Sequence, residues 1–171
     1  MAETTITMSL WPLHWFDANT AASASEYVGL SGHLVTITSE DENLFVFALI
    51  DNDEYWASES GGYYRGPWIG GTAKVGATLP YDPLNDWEWV TGEAFTYQNW
   101  RPGEPNGDGG GVHFADDPGR VRSAEWNDLP SEFPLNGYVV EYQVPEPSTL
   151  AIFGVGMVGL LSYAWRRKPA A

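Results

Sequence analysis

From Asp51 to Gln143 the chain is cut by Gly, Pro, Asn and Asp into pieces too short for an ordinary helix. Glycine resists backbone ordering, proline lacks an N–H, and Asn and Asp bond to their own backbone, so these residues end regular elements. What remains is a series of short strand-like runs. They are Trp68-Ile69-Gly70-Gly71, Trp87-Glu88-Trp89-Val90, Tyr97-Gln98-Asn99-Trp100, Val112-His113-Phe114 and Tyr138-Val139-Val140-Glu141-Tyr142. Two helices are expected before them. The first is capped by Asn19 or Thr20 and runs to about Leu30, with Gly32 as its stop. The second opens on the capping box Ser39-Glu40-Asp41-Glu42 and has Leu44, Phe45, Phe47, Ala48 and Leu49 as apolar positions. Between the helices, His33-Leu34-Val35-Thr36-Ile37-Thr38 has the β-branched content of a strand. Helices first and strands later, in 171 residues, predict one α+β domain with appendages.

The chain has no cysteine, which excludes thiol catalysis, disulfides and thiolate metal sites. Packing must therefore stabilise the fold. Nine Trp, nine Tyr and seven Phe make that feasible, since each buried aromatic removes about 150–250 Å² from water. The net charge is −15, with eight Lys and Arg in all and none in the first 64 residues. Such a surface repels phosphate backbones, which excludes nucleic acid as a partner and favours a cation such as calcium.

Beyond Val144 the composition changes. Pro145 and Pro147 end the last strand, Ser148 can cap a helix, and Leu150 to Trp165 form an uncharged apolar run followed by Arg166, Arg167 and Lys168. The run spans about 24 Å as a helix, slightly less than the ~30 Å hydrocarbon core. The basic cluster predicts a transmembrane helix whose C-terminal end is cytoplasmic, leaving the folded domain outside. This end resembles the PEP-CTERM sorting signal of Gram-negative bacteria: a Val-Pro-Glu-Pro motif, an apolar helix and an Arg-rich tail. The resemblance implies export with transient inner-membrane anchoring, removal of the tail by an exosortase, and residence at the cell surface, outer membrane or extracellular matrix. Residues 1–20 contain Glu3, no Lys or Arg and no long apolar run, unlike a secretory signal peptide, so the assigned start is expected to be misplaced or trimmed.

One loop stands apart: Arg101-Pro102-Gly103-Glu104-Pro105-Asn106-Gly107-Asp108-Gly109-Gly110-Gly111. Its glycines and prolines forbid helix and central strand, so Glu104 and Asn106 are displayed by an irregular backbone on either side of Pro105. Oxygens displayed in this way point to a ligand.

The order of these pieces, from about Trp11 to Gln143, resembles the C-type lectin-like domain. The landmarks are two helices around a Gly-His-Leu-Val strand, Trp68-Ile69-Gly70, Trp87-Glu88-Trp89, Asn99-Trp100 followed by Pro102-Gly103-Glu104-Pro105-Asn106, then Trp126-Asn127-Asp128 and the closing strand. The resemblance implies two helices packed on short antiparallel sheets with long loops. It also implies a cis proline at Pro105 and Ca²⁺ held by Glu104, Asn106, Asn127 and Asp128, whose oxygens suit that ion. The same four residues are the implied carbohydrate-binding set, and Glu-Pro-Asn implies equatorial 3- and 4-hydroxyls, as in mannose or glucose. Where the family has a further glutamate this chain has Gly109 and Gly110, so Asp108 is the nearest carboxylate and joins the expected metal ligands. The expected organisation is an N-terminal segment 1–10, a C-type lectin-like domain 11–143 and a sorting tail 144–171.

The leading functional expectation is calcium-dependent binding of glycans or exopolysaccharide. The alternative is a calcium-independent lectin-like module that recognises protein or builds matrix, which Gly109 and Gly110 favour. An enzyme is not expected. Gly29-Leu30-Ser31-Gly32 is no nucleophile elbow, the glycine loop lacks the Lys-Ser/Thr of a phosphate loop, and His14, His33 and His113 have no metal-ligand spacing.

Overall fold

The computed structural model describes residues 7–8 and 13–142. Among them are two helices, α1 (Trp15–Ala24) and α2 (Glu40–Ile50), and nine strands. The strands are β1 (Thr7–Met8), β2 (Glu26–Tyr27), β3 (Leu30–Leu34), β4 (Ala57–Ser58), β5 (Tyr64–Ala73), β6 (Trp87–Trp89), β7 (Gly111–Asp116), β8 (Arg122–Leu129) and β9 (Val139–Tyr142). They form two sheets, ordered β1-β9-β3-β2 and β4-β5-β7-β8, with β6 on β5. The α+β expectation holds. The expected C-terminal helix and sorting tail lie outside the described residues, and no described helix is long and apolar enough to cross a membrane.

Helix α1 differs from its expected bounds at both ends. It begins at Trp15, after His14, which makes no side-chain cap. The start is set by packing instead: Trp15, Ala18 and Ala22 are its buried face, and the Trp15 indole N–H donates to the Ile69 carbonyl at 3.0 Å. It ends at Ala24 because Ser25 is extended, and residues up to Leu34 form the β2–β3 hairpin. That hairpin turns through Val28 and Gly29, both at positive φ (51° and 81°), the geometry of a two-residue mirror-image turn. Helix α2 starts as expected, with the Ser39 hydroxyl accepting the Glu42 N–H at 3.3 Å. The Glu42 carboxylate reaches back to the Thr38 N–H at 2.7 Å.

Strand β3 stops at Leu34, four residues short of the expected Thr38. The next residue, Val35, joins the two sheets: its N–H donates to Val139 of β9 and its carbonyl accepts from Gly70 of β5, both at 2.9 Å. Tyr97–Trp100 is not a strand and makes one isolated bridge, Trp100 to Trp126. Strand β8 was not anticipated, because RSAEWNDL lacks an alternating pattern.

Trp126 is the centre of the core. Its ring lies 5.8 Å from Trp89, 5.6 Å from Tyr97 and 6.0 Å from Trp100. Its indole N–H donates to Asn43 Oδ1 at 2.9 Å, and Asn43, itself buried in α2, donates to the Ala124 carbonyl at 3.0 Å. One tryptophan thus holds the long loops and α2 onto β8. Truncating it removes a large apolar volume and strands the Asn43 carbonyl, so Trp126→Ala is expected to cost about 3–5 kcal/mol in urea unfolding.

Candidate functional site

Strands β7 and β8 are antiparallel neighbours in a register that pairs His113 with Asn127 and Val112 with Asp128. Because successive side chains on a strand point to opposite faces, Asn127 and Asp128 leave β8 in opposite directions. Asp128 turns toward the loop. Its carboxylate accepts the backbone N–H groups of Asn106 (2.9 Å), Gly107 (3.0 Å) and Gly109 (3.2 Å). The loop is therefore wrapped on a buried carboxylate, with Gly103 and Gly107 at φ of 95° and 90° supplying the turns. The Glu104–Pro105 peptide is cis.

His113 fixes the orientation of Asn127. Full burial pushes its imidazolium pKa down to about 3, so the ring is neutral. Nδ1 is 2.6 Å from the Phe114 carbonyl and must carry the proton, which leaves Nε2 as an acceptor for the Asn127 amide at 3.3 Å. The same amide nitrogen donates to the Asp128 carbonyl at 2.8 Å. With both hydrogens used there, Asn127 Oδ1 is left buried with no partner.

Glu104 is the second residue with an orphan oxygen: its Oε2 is buried and unpartnered. Its carboxyl pKa is raised to about 7, first by burial and then by the negative charge of Asp128, with Asp108 adding to the effect. Glu104, Asn106, Asp108 and Asn127 line one cavity of about 290 Å³, whereas Asp128 lies behind the loop. Asn106 Oδ1 accepts the Asp108 N–H at 2.8 Å, which leaves its NH₂ group free.

The two glycines at the family's glutamate position behave differently from one another. A Cβ at Gly109 would overlap the backbone of Leu129 and Pro130. One at Gly110 would face Ser131 and Ala73, neither of which lines the cavity. Asp108, one position before Gly109, is a carboxylate on the wall, with Glu104 and Asp116. Sequence reasoning missed Tyr63, Tyr64 and Arg65, which also line the cavity and carry no motif, and Arg101, which lay inside the quoted loop.

Comparison with known proteins bears on both parts of the chain. Residues 143–168 match the PEP-CTERM protein-sorting motif. Ladderlectin from Oncorhynchus mykiss is 38% identical over 85 residues, which are 48% of this chain and 36% of ladderlectin. The carbohydrate-recognition domain of cow CD23, solved in the presence of a GlcNAc2Man3 oligosaccharide, superimposes with a TM-score of 0.58 at 22% identity, covering 85% of this chain and 92% of that one. The chain has a C-type lectin-like fold with a PEP-CTERM sorting motif behind it. It spans about a third of the length of the curated relatives it matches. A calcium-independent type II antifreeze protein shares the C-type lectin-like fold with a TM-score of 0.57 at 19% identity, covering 84% of this chain and 90% of that one. The fold alone therefore does not decide whether calcium is used.

Calcium is the ion that a C-type lectin-like fold brings into question, and the oxygens of this site are compatible with it. Among the described residues no three His, Asp or Glu side chains group as a metal centre. The set here instead mixes carboxylates with carboxamides, all offering hard oxygen donors. Two of those oxygens, on Glu104 and Asn127, are buried without a hydrogen-bond donor, the situation a cation resolves. Asp128 has used three of its about four lone-pair sites, which leaves room for one more contact.

Two predictions separate the roles. The Glu104 pKa is raised in the folded state, so its contribution to stability is present below about 4.5 and lost as pH rises through about 7. In chelator, the melting temperature is expected to fall across that window, and Glu104→Gln or added calcium should flatten the slope. Asp128→Ala is expected to lower chelator-state stability by about 3 kcal/mol or more in urea unfolding, because unsatisfied buried donors cost about 1–3 kcal/mol each. The exposed Asp108→Ala change should leave chelator-state stability within about 0.5 kcal/mol.

Proposed function

We propose that this domain binds glycans through calcium, taking an equatorial vicinal diol of the mannose or glucose type. The reading is carried by one observation: of the three unpartnered buried side-chain oxygens among the described residues, two, Glu104 Oε2 and Asn127 Oδ1, belong to residues lining the same cavity as Asn106 and Asp108. Glu104, Asn106, Asp108, Asn127 and Asp128 would hold the ion, which would favour the ionised Glu104 and accept hydroxyl lone pairs. The chain's own groups do the rest. The Glu104 carboxylate accepts from a hydroxyl, and the free NH₂ of Asn106 donates to one. Asn127 offers only its oxygen, since both amide hydrogens are directed to His113 and the Asp128 carbonyl.

The sorting motif supports an exported protein that acts outside the cytoplasm, on surface glycans or exopolysaccharide. In this reading the domain ends near Gln143, and an exosortase separates it from the tail after membrane transit. A domain presented in many copies suits the weak affinity expected of one diol, near 1 mM, because avidity then supplies retention.

A calcium-independent interaction module is the second reading, and one feature favours it. The loop already has its shape set by three N–H bonds to Asp128 and needs no ion to order it.

Titration calorimetry with calcium and then with methyl mannoside distinguishes the two. Calcium-dependent sugar binding is expected, and the Glu104→Gln, Asn106→Asp double variant should shift preference toward galactose on a glycan array. Absence of any calcium-induced rise in melting temperature at about ten times 1 mM, the weak end for extracellular sites, would establish the second reading.

A further inference from the structure

The cavity is larger than an ion and two hydroxyls require. At about 290 Å³ it has the volume of roughly ten waters, at ~30 Å³ each. The rest of its wall includes Arg101, Tyr64 and Arg65. The two arginines differ in what they have left to give. Arg65 is ion-paired with Glu59, its Nη2 donating to Oε2 at 3.1 Å and its Nε 2.7 Å from Oε1, although that Nε makes no hydrogen bond of good geometry.

Arg101 is open. Its Nη2 makes only long contacts, 3.3 Å to the Asp117 carbonyl and 3.6 Å to Asp116 Oδ1, and its Nε is buried with no acceptor. Asp116 is shared with Arg120, which lies 3.4 Å from its other oxygen, and the carboxyls of Glu104 and Glu125 also feel the Arg101 charge. Nε and Nη2 share one edge of a guanidinium, the edge that takes a carboxylate through two parallel hydrogen bonds. The placement is also unusual for this chain. Of the eight cations three are at 166–168, and of the remaining five, Arg65 and Arg101 line the cavity while Arg120 stacks 3.3 Å over the ring of Tyr63 on its wall.

We infer that Arg101 is an anion subsite beside the diol site, so that the preferred ligand is an acidic polysaccharide whose hexuronic acid residues present a C6 carboxylate next to the 4-hydroxyl. In a hexuronic acid that carboxylate is one ring carbon away from the hydroxyl pair, so a residue held by its 3- and 4-hydroxyls at Glu104 and Asn106 carries the anion toward the same cavity. The inference rests on the diol reading above. It adds a ligand class that the Glu-Pro-Asn motif does not specify.

The test uses two probes that share equatorial 3- and 4-hydroxyls and differ only at C6: methyl β-glucoside and methyl β-glucuronide. Both are titrated into the full chain in millimolar calcium. The glucuronide is expected to bind about fivefold more tightly at low ionic strength, the upper range of a partly exposed ion pair, with the advantage fading as salt is raised. Arg101→Gln should bring the ratio to about one and Arg101→Lys should keep part of it. The Arg101 Nε–H resonance should shift with glucuronide and stay in place with glucoside, a readout that needs no variant to fold and that a purely structural arginine would not give. Equal affinities for the two probes, or a preference that survives in Arg101→Gln, would show that Arg101 only ties the loop to residues 116–117, with the diol reading intact. If neither sugar binds, the diol reading itself fails and the subsite falls with it.

Discussion

The geometry of the binding loop depends on one buried carboxylate. Asp128 has no exposed surface, and its oxygens accept three backbone N–H groups from residues 106–109. A stretch so rich in glycine has a high entropic cost of ordering, which charge-assisted bonds offset better than neutral ones. The consequence reaches past the loop. Burial is the first reason that Glu104 resists ionisation, and the nearby negative charge of Asp128 is the second. The fold thus places a carboxyl under electrostatic stress beside a cavity, the arrangement that gives a cation the most to relieve.

With no disulfide available, the platform beneath that loop is aromatic. Trp126 and Asp128 point to one side of β8 and Asn127 to the other, so a single strand supplies the core anchor, the loop anchor and a cavity oxygen. Strand β7 answers in register: Phe114 and Val112 enter the core, while His113 backs Asn127. His113 is buried and neutral, as a satisfied core histidine should be, yet its acceptor nitrogen decides which way the Asn127 amide faces. Its place in the core and its effect on the site are the same interaction.

Much of this was legible in the sequence because it depends on local chemistry. The Glu-Pro-Asn and Trp-Asn-Asp triplets, the Ser39 cap and the glycine-rich loop are short motifs with fixed consequences. The misreadings came from tertiary terms. Trp15 starts α1 earlier than any capping residue would suggest, because a bond to Ile69 holds it. Strand β8 lacks alternation, since partly buried and buried residues follow one another along it. The contribution of His113 is set by a register between strands, and that of Gly109 by contact with Leu129 and Pro130, neither visible along the chain. Tyr63 to Arg65 belong to no motif at all, and only the folding of β5 against β7 brings them to the cavity.

The charges around the cavity tie its two halves together. Glu104, Asp108 and Asp116 face Arg65 and Arg101, so the wall is balanced toward the negative when Glu104 is ionised. A divalent cation among the oxygens would offset that negative excess. On the proposed reading, an anionic sugar then meets a cavity that repelled it before the ion arrived. Because linkage is reciprocal, the sugar must strengthen ion binding by the same factor that the ion strengthens sugar binding. A chain with net charge −15 would otherwise be a poor receptor for an acidic polymer. On that reading, calcium among the oxygens and the weakly bonded Arg101 edge would give the domain a physical means of discriminating that polymer from neutral glycans with the same diol.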